Sequence, residues 1–205
     1  MKLFDSFRAP NPRRVRWVMA EKEIADIEIV GVDLMAGEHR GPDYRARTGF
    51  AHVPALELDD GTTISESIAI CRYLEALHPE PNLFGRDAKE TAVIEMWMRR
   101  CEMYLATPMM LYVRHTHPAM VVLETPRPGI ADYNLENAER FLKSLDRRLE
   151  DREFIAADRE TIADITAFIG LDFARLVKYR APEGLNHLHR WAETMRARPA
   201  AKAGV

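Results

Sequence analysis

The sequence predicts an α/β half followed by an all-α half. Three observations carry this. Strand-like runs, "KLFDSF", "IEIVGVDL" and the pair "ALEL"/"TTI" about "DDG", are confined to the first 65 residues. A proline- and glycine-marked stretch, "HPEPNLFGRD", has no period. Beyond Ala88 only helical spacing recurs. Strands and helices sorted in this way argue for two domains, placed at 1–78 and 88–205 with a linker at 79–87. The chain's 205 residues, 47% apolar, suffice for real cores. A net charge of −3 gives no reason to expect a nucleic acid or an anionic membrane as partner. No apolar run approaches the roughly 20 residues of a membrane span, and the start lacks the long apolar core of a signal peptide. A cytoplasmic protein is expected. The two cysteines, Cys71 and Cys101, sit in apolar helical patterns without metal-ligand spacing and read as buried reduced thiols.

In chain order, a strand is expected at 2–6. Pro10 and Pro12 suit a turn and the first positions of a helix, where the missing N–H costs nothing. From residue 11 or 12, Val15, Val18 and Met19 share a face. The run 27–34 reads as a buried strand, which completes a β-α-β unit of the kind that forms a parallel pair. Residues 35–52 look irregular. The "DDG" pair is a hairpin signal. Ser65 then stands where it would N-cap a helix carrying Ile68, Cys71, Tyr73 and Leu74 at helical spacing. In the second half, a long helix from residue 88 should bend at Pro108. A further helix buries Leu135, Ala138, Leu142, Leu145 and Leu149. Thr161 and Asp164 have the spacing of a capping box ahead of a very apolar helix, and a last amphipathic helix follows.

Two motifs carry chemistry. In "HVPAL", Pro54 heads a strand, a place proline occupies at an edge or a first residue. A cis Val53–Pro54 bond there would turn the Val53 N–H and C=O toward a peptide ligand. In "SES", a helix start offers unpaired N–H groups to a carboxylate. Ser67 would add a hydroxyl, and Glu66 could pair with a ligand ammonium.

The order β-α-β/β-β-α, with "VPAL", then "ESIAICRYL", then "TIADITAF" in a helical half, resembles the cytosolic glutathione S-transferases over nearly the whole chain. Within that family it is similar to theta- and zeta-like members, nearest to the fungal and bacterial ones without the usual serine, cysteine or tyrosine. The resemblance implies a thioredoxin-like N-terminal half that holds glutathione as co-substrate. It implies an all-helical bundle supplying the site of a small hydrophobic electrophile, a homodimer, and no metal. Residue by residue, it assigns Val53 and Pro54 to the cysteinyl part of glutathione and Glu66 and Ser67 to the γ-glutamyl end. His39 and His52 match places near the glycyl carboxylate, where a histidine grip would be pH-sensitive. Arg8 stands beside the expected cleft as an attractor of the anionic peptide, whereas Arg13 and Arg16 read as a solvated helix face.

Ala9 occupies the place of the serine that hydrogen-bonds the glutathione sulfur, and Ser6 falls on the strand. A free thiol has a pKa of about 8.5, and lowering it by two units requires about 2.7 kcal/mol. One charge-assisted hydrogen bond contributes about 1.5–3 kcal/mol, and a helix N-terminus about 0.3–1. Ala9 thus weakens activation without abolishing it. Asn11, with an N–H and a side-chain amide, is the first candidate donor. His115 and His117 are the others, equally readable as cations favoured at a helix C-terminus. Tyr104, Leu111 and His115, at steps of seven and four, are expected to share a face lining the electrophile site. A glutathione-binding protein without catalysis, or a glutathione-dependent peroxidase or disulfide reductase, are the rival readings.

Overall fold

A computed structural model describes residues 1–203. The chain divides into two compact units: Met1–Pro81 together with the segment from Pro199 onward, and Asn82–Arg198.

The first unit is built on a four-stranded sheet of order β2-β1-β3-β4. Strand β1 (Lys2–Asp5) pairs in parallel with β2 (Glu28–Gly31) and antiparallel with β3 (Ala55–Glu57), and β3 pairs antiparallel with β4 (Thr63–Ser65). Helix α1 (Pro10–Glu21) makes the crossover between the parallel strands and packs on α3 (Ser67–Leu77). On these two helices Val15, Trp17, Val18, Ile70, Cys71 and Leu74 are fully buried, each large apolar side chain contributing about 1.5–3 kcal/mol. This is the β-α-β/β-β-α order expected of the thioredoxin-like half.

Four local expectations are corrected. Strand β2 is an edge strand and mostly exposed, with Ile29 half in solvent; β-branched composition had suggested a buried one. The stretch expected to be irregular contains α2 (Pro42–Thr48), opened by Pro42 and closed by Gly49 at φ 71°, where the absence of a Cβ makes the left-handed turn cheap. Ser65 is the last residue of β4 and caps nothing; the N-cap of α3 is Glu66. The arginines of α1 are not a solvated face. Arg14 and Arg16 are buried, and Arg13 donates to the Ala201 carbonyl at 3.0 Å, which draws the turn Pro199–Lys202 onto α1. Buried charges need partners. Arg16 pairs with Asp5 at the end of β1, and the ammonium of Lys22 meets Glu75 at 2.6 Å and the carbonyls of His78 and Pro81.

The second unit is helical: α4 (Ala88–Cys101), α5 (Thr107–Thr116), α6 (Pro128–Arg148), α7 (Ile162–Phe173) and α8 (Asn186–Ala197). Asp87 caps α4 by accepting from the Glu90 N–H. Where a bend at Pro108 was expected, the long helix is interrupted by a π-helical turn at Glu102–Ala106, just upstream of Pro108. Helix α7 lies against that turn. A Cβ on Gly170 would sit 2.5 Å from the Ala106 Cα, closer than any real contact, so only glycine permits the approach. Of the stripe expected on α6, Ala138, Leu142 and Leu145, with Leu149 at the C-cap, are fully buried, whereas Leu135 is only partly buried. The capping box at Thr161 is present with Asp164 as its acid. The described residues of the expected 88–205 domain thus include a turn, from Pro199, that belongs with the first unit; residues 204–205 lie outside the described part.

Candidate functional site

The strand register brings the sequence motifs together. Phe4 of β1 lies opposite Ala55 of β3, and Ala55 opposite Ser65 of β4. The chain leaves β1 just after this row, enters β3 just before it, and leaves β4 just after it. The turn 6–9, the pair Val53–Pro54 and the pair Glu66–Ser67 therefore emerge from one end of the sheet. The hydrophobic anchor under that end is Phe4, Val32 and Ala55, with Val30, Tyr44 and Val53 packed on it.

The Val53–Pro54 peptide is cis. Among the described residues neither the N–H nor the C=O of Val53 has a hydrogen-bond partner. A backbone pair of this kind, left over next to a strand start, matches an extended peptide. Just upstream, the Tyr44 hydroxyl donates to the His52 carbonyl at 2.6 Å, and the His52 ring stacks on Phe50. Burial pushes the Tyr44 phenol up to about 12, so it remains a donor. His52 is exposed, whereas His39 is buried in the turn Glu38–Arg40.

Glu66 adopts φ 69°, ψ 117°, a positive φ that a residue with a Cβ rarely takes. Its side chain is exposed, and Ser67 beside it is buried. Ser67 opens α3, where the first N–H groups have no intrahelical partner. Its hydroxyl accepts from Arg14 Nη1 at 2.7 Å. Arg14 is only 2% exposed. Sequence reading missed its part here, because a partner 53 positions away leaves no local signal.

At the start of α1, Ala9 is the N-cap and provides no side-chain cap. Its N–H donates to the Ser6 carbonyl at 2.8 Å. Ser6 lies just past the end of β1. Pro10 and Pro12 lack N–H groups, so Asn11 keeps the one amide of that first stretch. The Asn11 Oδ1 is buried without a partner, and its side chain makes no hydrogen bond among the described residues. Arg8 is exposed on the same turn.

The remaining candidates, Tyr104, Leu111, His115 and His117, belong to the second unit. Of the three expected to share a face, Leu111 and His115 are four positions apart on α5 and lie on one side of it, whereas Tyr104 falls in the π turn before that helix. The π turn interrupts the 100° step of the helix. Tyr104 is half-exposed with its ring 5.8 Å from Phe141, Leu111 is partly buried, and His115 is 5% exposed. His115 Nε2 lies 3.8 Å from a Glu124 carboxylate oxygen. His117 Nδ1 accepts from the Ala119 N–H at 3.2 Å, capping the turn Pro118–Val122. Both cysteines are buried. Burial pushes the Cys71 thiol up to about 12 and the Cys101 thiol well above its ordinary value. Neither can serve as a thiolate near neutral pH.

Comparison with known proteins fits this geometry. The family model "Glutathione S-transferase, N-terminal domain" matches residues 9–77, and "Glutathione S-transferase, C-terminal domain" matches 101–199. Glutathione S-transferase 2 of Saccharomyces cerevisiae is 35% identical over 98% of this chain and 88% of its own length. A solved glutathione S-transferase domain-containing protein of Marinobacter aquaeolei superposes with a TM-score of 0.93 at 42% identity, over 98% of this chain and 99% of that one. The solved Gtt2 of Saccharomyces cerevisiae gives a TM-score of 0.93 at 35% identity, with both chains fully covered.

Proposed function

Because the chain belongs to the glutathione S-transferase family, we propose that it joins the glutathione thiol to small apolar electrophiles, as a cytoplasmic homodimer. The observation that carries this reading is the group at one sheet end: an unpaired Val53 backbone, the Ser67 hydroxyl and the Asn11 amide.

In this reading Val53 and Pro54 hold the cysteinyl residue by strand-like hydrogen bonds. Glu66, exposed and acidic, takes the γ-glutamyl ammonium. Ser67 and the free N–H groups of α3 take the γ-glutamyl carboxylate. His52, open to solvent, and His39, buried close by in sequence, serve the glycyl end, and Arg8 adds attraction for the anionic peptide. Ala9 can donate nothing to the sulfur. Asn11 replaces it, through its backbone N–H or its side-chain NH₂, both available at a helix start that already favours an anion. Asn11 ranks ahead of His115 and His117, since His117 is spent on a cap and His115 is nearly closed off beside Glu124. Tyr104 and Leu111 are the second unit's candidates for apolar contact with the electrophile.

Conjugation requires the thiolate to attack the electrophilic carbon while the leaving group departs with its electron pair. The chain's task is to hold the peptide and lower the thiol pKa. With both cysteines buried, reductase chemistry through a protein thiol has no candidate. Turnover of a chlorodinitrobenzene at neutral pH, with glutathione binding measured separately by calorimetry, tests the proposal. Saturable conjugation is expected. Retained binding with no rate above background would replace the enzyme by a glutathione-binding protein.

A further inference from the structure

The Arg14–Ser67 contact has a direction. A guanidinium carries only N–H donors, so in the 2.7 Å contact the Ser67 oxygen must accept. That leaves the serine's own proton unassigned. Ser67 makes no other side-chain hydrogen bond among the described residues, although it is only 4% exposed. A buried hydroxyl proton without an acceptor is costly, and it points to an acceptor from outside the chain. The cation behind the oxygen polarises the O–H bond and makes it a stronger donor to an anion. The backbone supports the same end: α3 begins at Ser67 with free N–H groups, and Cys71, one turn on, touches the Arg14 carbonyl at 3.9 Å.

We propose that Arg14 is a positioning residue: it fixes Ser67 as an outward-directed, donor-only hydroxyl and thereby makes the site selective for a carboxylate. The inference rests on the glutathione reading above, in which that carboxylate is the α-carboxylate of the γ-glutamyl residue. Arg14 does not touch the peptide. It acts by denying Ser67 any internal acceptor.

Calorimetric binding of glutathione and of γ-aminobutyryl-cysteinylglycine, which lacks that carboxylate, tests the assignment. The wild-type chain should prefer glutathione by about tenfold or more, the value of one hydrogen bond to a charged group. Ser67→Ala should remove most of this preference while leaving the analogue's affinity unchanged. Arg14→Gln, whose amide oxygen can accept the serine proton, should do the same, and the double variant should lose no more than either single one. Arg14→Lys, also donor-only, should keep much of the preference. Equal weakening of both peptides by Arg14→Gln, or losses that add with Ser67→Ala, would overturn the assignment. If Arg14→Gln does not fold, a complete loss of preference in Arg14→Lys overturns it instead. Glutathione bound without preference over the analogue would sink this inference alone. A chain that binds neither peptide would sink the glutathione reading with it.

Discussion

Replacing Asp164 with alanine is expected to destabilise the protein by about 3–5 kcal/mol, lowering the melting temperature by about 10 °C. The carboxylate is fully buried and gathers four donors from three parts of the second unit. Oδ1 accepts from the Ile155 N–H at 2.8 Å and the Trp191 indole at 3.0 Å. Oδ2 accepts from the Thr161 N–H at 3.0 Å and the Thr161 hydroxyl at 2.9 Å. Burial alone raises its pKa, and the four donors oppose that. Without the carboxylate the three N–H groups would be left in a dry site, each costing about 1–3 kcal/mol less what an entering water recovers. Asp164→Asn keeps one oxygen and should lose less. Thermal and urea unfolding of both variants measure this. A loss under about 1 kcal/mol in Asp164→Ala would mean that the four contacts do not carry the start of α7.

The second large effect is at Asp5. Its carboxylate is the buried partner of Arg16, whose other nitrogen donates to the Phe7 carbonyl at 2.6 Å while the guanidinium lies 5.1 Å over the Phe7 ring. Burial raises the Asp5 pKa and lowers that of Arg16, each opposed by the other's charge. Asp5→Ala leaves a guanidinium buried with one carbonyl partner, and breaking such a pair costs about 3–5 kcal/mol. Replacing both, Asp5→Leu with Arg16→Met, should recover more than half of that loss, because an apolar pair needs no compensation. A double variant as unstable as the summed single ones would refute the ion-pair explanation. Arg16 also holds the turn that delivers Ala9 and Asn11. The double variant, though folded, is therefore expected to bind glutathione more weakly than the wild type.

Much of this was legible from local pattern. The β-α-β order, the hairpin about "DDG" and the Thr161–Asp164 box each depend on residues a few positions apart, and each stands in the structure. What escaped depends on distant partners or weak periodicity. The burial of Arg14 and Arg16 is decided by Ser67 and Asp5, on other elements. The π turn has no composition of its own and is met by Gly170 from α7. Helix α2 is short and polar, so its Pro42 and Gly49 ends were its only marks. For the candidate site, the placement of Val53, Glu66 and Ser67 was readable because it is set by the backbone at a strand or helix start. The surroundings of Ala9 were not, since any amide or hydroxyl the fold delivers could be brought beside it.

The central claim is that this chain activates the glutathione thiol without a side-chain donor at Ala9, using Asn11. Titrating the ultraviolet thiolate absorbance of bound glutathione, in the wild type and in Asn11→Ala, tests it most directly. The wild-type complex should titrate about one to two units below the free thiol's pKa of about 8.5, and Asn11→Ala should return most of that shift. A bound thiol that titrates like free glutathione in the wild type, or an unchanged shift in Asn11→Ala, would contradict the account.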